Sequence, residues 1–512
     1  MTAIALAAYS HDRWQESGAG AELVSAIDGS VVATIPQATD IAATLHHART
    51  VGASALQRLT FAQRGKMLRA LAEALTARKE ELDALSVHTG ATRNDGAIDI
   101  EGGIGTLFVY ASKAKSLPDS RILIEGEREA IAKGDFAGQH ILTPLSGAAI
   151  HINAYNFPVW GMLEKLAPTL LAGMPAIVKP ATVGAYLTEA AFRIMIDSGV
   201  LPPGAIQLVL GTPGDLLDRL DGQDVVSFTG SAATAAKLKA HPRVIREAVR
   251  FTAEQDSLNA SILGVDVMPN SPEFDLFVRE VVREMTQKAG QKCTAIRRAM
   301  VPAGLIDAAQ GAIATRLAQV IVGDPRHEGV RMGALAGTAQ CDDVRANIAR
   351  LTAEARIVAG GGEVPDVPTG GAFLAPTLLR CDDPAAATLV HEVEAFGPVA
   401  TLMPYTDTAE AVSLARAGKG SLVMSLFSHD PDVTMEVVLG AASHHGRMLI
   451  VDRDSGADST GHGAALPHLV HGGPGRAGGG EELGGLIGMK HYLQRTAVQA
   501  STATLARLGE AR

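Results

Sequence analysis

Apolar positions recur at helical spacing from Asp40 to Leu85, where Phe61, Met67, Leu68, Leu71, Leu75 and Leu82 alternate with Arg and Glu. That period of 3.6 predicts two amphipathic helices packed on one face. Between Pro158 and Asp256 the pattern changes to short apolar runs separated by helical stretches: Ala176 to Lys179, Ile206 to Leu210, Val225 to Phe228 and Val249 to Thr252. Short runs of this kind are buried strands, and their alternation with helices predicts βαβ units and a parallel sheet. A second α/β stretch extends from about Leu258 to Leu449. Its first helix carries Phe274, Phe277, Val278, Val281, Val282, Met285 and Ala289 on one stripe and is expected to end at Gly290 as a C-terminal cap.

Composition narrows the classes. At 512 residues, the chain is long enough for two to four domains. With 47% hydrophobic and 20% charged residues it has the make-up of a protein with large α/β cores. A net charge of -10 argues against a nucleic-acid partner, which needs a concentrated cationic face. No apolar run reaches the length of a membrane helix, and Met1 to Gln15 lacks the positive start of a signal peptide. The three cysteines, Cys293, Cys341 and Cys381, are too few and scattered for a disulfide framework or a thiolate metal site, so no metal and a cytoplasmic location are expected. The 37-residue stretch from Leu449 to Gly485 is rich in Gly, Ser and His, and on composition it reads as a surface loop.

Candidate chemistry is spread along the chain. Gly290-Gln-Lys-Cys293 puts one thiol where glycine can bend the backbone, with Lys292 as a neighbour able to favour the thiolate. Asn156, in Asn153-Ala-Tyr-Asn-Phe-Pro158, is either a helix-cap residue or a donor to a developing oxyanion. Lys179 ends an apolar strand, the place where ligands sit in open parallel sheets. Phe228-Thr-Gly-Ser231 runs from strand into helix, where backbone N–H groups can hold a pyrophosphate.

In order, N-x-x-N-F-P, K-P-A, F-T-G-S, the strand-borne Glu254, G-Q-x-C and Glu394-Ala-Phe-Gly-Pro398 resemble the aldehyde dehydrogenase family over essentially the whole chain. The resemblance implies an α/β fold with a Rossmann-like cofactor domain, an α/β catalytic domain and a small β oligomerisation extension. Carried over, the boundaries are 1–120 and 146–253 for the NAD(P)-binding domain, 254–468 for the catalytic domain, 121–145 and 489–512 for the oligomerisation segments, and 469–488 for a Gly-rich loop. It further implies Cys293 as nucleophile, Asn156 as oxyanion donor, and Glu254 as the base that activates water. Lys179, Thr182, Gly230, Ser231, Glu394 and Phe396 are then the cofactor-binding positions. A homodimer or higher homo-oligomer is expected from paired strand edges.

There are departures from the family pattern. The usual E-L-G-G around the base is Glu254-Gln-Asp-Ser-Leu-Asn259, and the step from Glu254 to Cys293 is slightly long, which is attributed to a longer loop near Met268 to Pro272. A literal Glu482-Leu-Gly-Gly485 instead matches the family's C-terminal turn, and Ala235 replaces a common glycine of the cofactor helix. Thr182 stands where NAD-preferring members carry a glutamate. A neutral hydroxyl there does not repel a 2′-phosphate, so NADP is expected, with NAD as the alternative.

Thr252 to Asn259, Ser459-Thr-Gly-His-Gly463 and Leu469 to Gly480 are similar to the semialdehyde dehydrogenases of aerobic, CoA-dependent aromatic degradation, which weakens the surface-loop reading. Gly102 to Phe108, Trp160 to Pro168 and Met489 to Val498 are closer to the phenylacetate branch, implying 3-oxo-5,6-dehydrosuberyl-CoA semialdehyde. The alternative is 3,4-dehydroadipyl-CoA semialdehyde, of the benzoyl-CoA pathway. Arg297, Arg298 and Arg476 are candidate contacts for CoA phosphates or salt-bridge partners, and no hydratase activity is expected of this chain. A CoA-acylating dehydrogenase and a non-catalytic scaffold are the rivals. Glu254 argues against the first, and retention of Asn156, Glu254 and Cys293 together against the second.

Overall fold

The computed structural model describes residues 3–15, 19–36, 39–481 and 483–508. The helical period after Asp40 resolves into Ile41–His47 and Ala53–Gln57, joined by one π-helical turn, then Phe61–Ala77 and Lys79–Ser86. The second expected helix is therefore broken at Arg78. Thr60 opens Phe61–Ala77 with a reciprocal cap, its hydroxyl taking the Gln63 N–H while the Gln63 side chain takes the Thr60 N–H.

Two seven-stranded sheets organise the chain. The first runs Arg250–Glu254, Val225–Thr229, Ala149–Ile152, Ala176–Lys179, Ile206–Leu208, Ala8–Ser10, Arg13–Gln15. Its first five strands are parallel and the last two antiparallel, as the βαβ pattern requires. The chain leaves Ala149–Ile152 toward one side of the sheet and later returns to pair Val225–Thr229 on the other. This is a topological switch, and ligands bind outside the carboxyl ends of strands at such a point. The second sheet runs Arg356–Gly360, Thr377–Arg380, Val399–Tyr405, Arg298–Pro302, Ala260–Leu263, Ser421–Phe427, His445–Val451, with only Arg356–Gly360 antiparallel. Its core is built on Leu263, Phe277, Val281, Leu402 and Phe427.

Leu493–Ala500, Ala137–Pro144 and Leu123–Ala130 form a separate antiparallel sheet whose two outer strands are largely exposed. The segments expected to form the small β extension thus pair with one another. Among the described residues, no helix is long and apolar enough to cross a membrane.

One expected boundary moves. The helix after Ser271 is Pro272–Thr286, capped by the Ser271 hydroxyl, and it ends four residues before Gly290. Lys288, Ala289 and Gly290 follow with φ of 55, 50 and 67°. Lys288 is held there by tertiary contacts: its N–H donates to Asp95 Oδ1 at 2.8 Å and its ammonium to Thr89 Oγ1 at 3.2 Å.

Candidate active site

Glu254 is the last residue of its strand, at the carboxyl edge next to the switch point. Asn156 lies in the loop leaving Ala149–Ile152, just before the helix Trp160–Ala172. Cys293 follows the left-handed run that ends at Gly290. A Cβ at Gly290 would stand 2.1 Å from the Gly397 carbonyl, so glycine is needed both for its φ and for the close passage of the two chains.

These three residues meet where two cavities join. One, of about 700 Å³, is lined by Asn153, Phe228, Gly230, Ser231, Glu394 and Phe396 among others; the second, of about 330 Å³, is lined by Phe157, Trp160, Glu164, Lys292, Thr460 and His471. Asn156, Glu254 and Cys293 line both. Asn156 Nδ2 donates to the Gln291 carbonyl at 3.0 Å. An amide nitrogen carries two hydrogens, so this bond anchors the side chain and leaves the second for a ligand. Asn259 Nδ2 donates to the carbonyls of Cys293 at 2.7 Å and Ala295 at 2.9 Å, fixing the Cys293 loop from its other side.

The charges facing the thiol are negative. Burial, then the carboxylates of Glu254, Glu164 and Glu394, push Cys293 well above its ordinary value, so the resting residue is a thiol. Lys292, expected to favour the thiolate, is turned away: its ammonium bonds Glu284 Oε1 and Gln287 Oε1, both at 2.7 Å. Burial works against ionisation of Glu254, but the charge of His471, its contact with that ring and the charge of Lys165 outweigh it and hold the carboxyl low. His471 Nε2 stands 3.1 Å from Glu254 Oε2. Among the described residues no well-aligned hydrogen bond reaches Oε2, and the 3.1 Å approach is a close contact of ring and carboxylate. Lys165 Nζ bonds Thr229 Oγ1 at 2.6 Å beneath the same carboxylate.

On the larger cavity, Glu394 Oε1 and both polar atoms of the Asn153 amide are buried with no hydrogen-bond partner among the described residues. Burial raises the Glu394 carboxyl to about 7 against the opposing charge of Arg297. Such atoms suit a ligand bearing hydroxyl and amide groups, and the cleft fits a nicotinamide dinucleotide. Ser231 caps the helix Ala232–Lys239, its hydroxyl accepting from the Thr234 N–H, but the Ala232 N–H at that helix start is already taken by Asp256 Oδ1 at 2.9 Å. Lys179 and Thr182 do not line the cleft. Lys179 is buried with its ammonium on the Pro180 carbonyl at 2.6 Å, and Thr182 is exposed beside Ala181, which does line it.

The proposed phosphate-binding arginines are placed otherwise. Arg297 and Arg298 are buried and spent on backbone carbonyls, Arg297 on those of Gly397, Gly290 and Lys292, Arg298 on those of Leu258, Leu414 and Ala415. Both are structural. Arg476 borders the larger cavity and bonds the carbonyls of His391 and Glu392.

The Gly-rich stretch is not a surface loop in its central parts. His462 is fully buried with Nδ1 on Ser425 Oγ at 2.8 Å, and Gly463 accepts the Thr294 hydroxyl at 3.0 Å. A Cβ at Gly463 would stand 2.5 Å from Lys292 Nζ, so glycine lets this segment close over the ion pair below the nucleophile. Sequence reading missed His471, Lys165 and Asn259. The last two were visible only as polar residues in apolar surroundings, and Glu482 lies outside the described residues.

The profile of the aldehyde dehydrogenase family matches residues 14–498. A 3,4-dehydroadipyl-CoA semialdehyde dehydrogenase of Aromatoleum evansii is 48% identical over 477 residues, 92% of this chain and 93% of its own. Protein MaoC of Klebsiella aerogenes is 54% identical over 179 residues, 35% of this chain and 53% of its own. Among solved structures, lactaldehyde dehydrogenase of Escherichia coli superposes with a TM-score of 0.85 at 24% identity, covering 98% of this chain and 100% of that one.

Proposed function

The chain belongs to the aldehyde dehydrogenase family, and from that premise we propose that it oxidises a CoA-linked semialdehyde to the carboxylic acid through a thioester on Cys293, with NADP as the acceptor. The observation that carries this reading is the meeting of Asn156, Glu254 and Cys293 at the junction of two cavities. Cys293 Sγ attacks the aldehyde carbon as its S–H bond breaks and the proton passes to solvent. The free N–H of Asn156 and the backbone N–H of Cys293 donate to the oxyanion that forms. Glu394, Phe396, Asn153, Gly230 and Ser231 would hold a nicotinamide dinucleotide, which supplies the hydride acceptor and a positive charge near the thiol. Glu254 then removes a proton from the water that attacks the thioester, releasing acid and thiol. A buried carboxylate held ionised suits that step, and it favours water over a second thiol as the final acceptor.

NADP is favoured because Thr182 offers no carboxylate against a 2′-phosphate. The eight-carbon 3-oxo-5,6-dehydrosuberyl-CoA semialdehyde is the first reading of the substrate. It is supported by Gly102 to Phe108 and Trp160 to Pro168, of which Gly102, Trp160, Gly161 and Glu164 line the smaller cavity. The six-carbon 3,4-dehydroadipyl-CoA semialdehyde is the second, supported by the relative that is similar over 92% of the chain. The exposed outer strands Leu123–Ala130 and Leu493–Ala500 support a homodimer, and the reduced-compartment chemistry of a catalytic thiol supports the cytoplasm. A steady-state matrix of NADP and NAD against the two CoA semialdehydes and simple aliphatic aldehydes tests the proposal. Equal kcat/KM for CoA-linked and simple aldehydes would refute the substrate class.

A further inference from the structure

His471 reaches the catalytic junction from a part of the chain that has no role in the scheme above. It is carried by the Gly-rich stretch, bridged in an antiparallel pair to Leu483. A Cβ at Gly472 would stand 1.8 Å from the Gly480 carbonyl, and one at Gly473 2.4 Å from that of Ser421. The glycines therefore let the backbone press between its own return strand and the second sheet. That close passage presents the imidazole to the smaller cavity, 5% exposed, with Nε2 3.1 Å from Glu254 Oε2. Ligand atoms of Glu254, His471 and Cys293 all lie within 4.8 Å of one another.

We propose that His471 is a positioning residue for the Glu254 base: with Nε2 3.1 Å from Oε2 it holds the buried carboxylate turned to the acyl carbon on Cys293, and so governs hydrolysis of the acyl-enzyme rather than its formation. The inference rests on the thioester reading given above. Among the described residues, His471 from the Gly-rich stretch, Lys165 from Trp160–Ala172 and Cys293 from its loop act on the Glu254 carboxyl. Lys165 already shares its ammonium with Thr229 and Glu164, whereas His471 Nε2 stands 3.1 Å from Oε2. A contact that lacks alignment in the resting enzyme tightens when a reacting group is present. During hydrolysis the water oxygen bonds the acyl carbon, the C–S bond breaks, one water proton passes to Glu254, and the thiolate of Cys293 takes its proton from solvent.

The test uses 4-nitrophenyl acetate, an activated ester that acylates the thiol without aldehyde or cofactor. The burst of nitrophenolate reports acyl-enzyme formation and the later steady release reports its hydrolysis. In His471→Phe the burst amplitude should stay near that of the natural protein while hydrolysis slows about tenfold to a hundredfold. Its acid limb should move to higher pH, because Glu254 loses the nearest charge favouring ionisation. His471→Gln, which keeps a donor but no charge, should recover part of the rate without restoring the limb. Unchanged hydrolysis and an unchanged limb would overturn the role, as would a burst that falls in step with turnover at constant pH dependence. Absence of any burst from the natural protein would instead defeat the acyl-enzyme reading on which the role depends.

Discussion

The side-chain amide of Asn156 donates to the backbone carbonyl of Gln291 at 3.0 Å, tying the loop after the strand Ala149–Ile152 to the loop of Cys293. One contact thus orients the amide proposed as oxyanion donor and fixes the loop that carries the thiol. Asn156→Ala should lower kcat by about a hundredfold or more, as loss of an oxyanion donor does. It should cost only about 1 kcal/mol of stability for the single hydrogen bond. Stopped-flow kinetics and thermal melting separate the two; a large fall in Tm with unaltered kcat would remove the donor role.

Removing the base should separate the two halves of the reaction. Glu254→Gln keeps the shape of the side chain beside Cys293 but cannot accept a proton from water. A pre-steady-state burst of NADPH should persist while turnover nearly stops. An unchanged steady-state rate would show that another group activates the water.

The close approach at the nucleophile loop predicts a steep cost for a single methyl. Gly290 has φ of 67°, and an added Cβ would lie 2.1 Å from the Gly397 carbonyl. Gly290→Ala should destabilise by about 2 kcal/mol or more through backbone strain, with further loss from the clash. Active-site titration of the purified variant should show fewer reactive thiols per chain. Wild-type melting and titre would contradict this placement of the loop.

Cofactor choice is predicted to respond to charge at Thr182. Thr182→Glu places a carboxylate on the exposed turn beside the cleft, where it opposes a 2′-phosphate and accepts from a 2′-hydroxyl. KM for NADP should rise about tenfold and that for NAD should fall. If neither moves, the turn does not read the ribose.

Glu394 links stability to pH. Its carboxyl is raised by burial from 4.5 to about 7. The folded state therefore holds a proton that the unfolded chain has already lost, and the stability linked to that proton declines as pH rises from about 4.5 through 7. Glu394→Gln cannot ionise. Its Tm relative to the natural protein should increase from pH 5 to pH 8, and a constant difference across that range would place the Glu394 titration elsewhere.

Motifs that carry local geometry were readable without coordinates. The strand end at Lys179 follows from a short apolar run meeting a polar residue, the strands ending at Thr229 and Glu254 run one and two residues past the apolar runs to Phe228 and Thr252, and Ser231 falls between strand and helix as its sequence place suggests. What could not be read was any feature set by a distant partner. The apolar stripe through Val281 and Met285 suggests a helix reaching Gly290, yet Asp95, from a helix far earlier in the chain, takes the Lys288 N–H and turns the backbone before it. Arg297 and Arg298 read as candidate CoA-phosphate contacts or salt-bridge partners until the carbonyls that surround them are seen.

By itself the sequence determined the family and the parallel sheets and named the residues proposed to react, because short-range spacing and residue chemistry suffice for those. Only the tertiary structure decided that a stretch rich in glycine is a wall of the catalytic junction. Glycine composition says that a chain can bend, whereas its burial depends on which surfaces it is able to approach, and here the absence of side chains at Gly463, Gly472 and Gly473 is what lets it close against the ion pairs and strand ends beside Cys293.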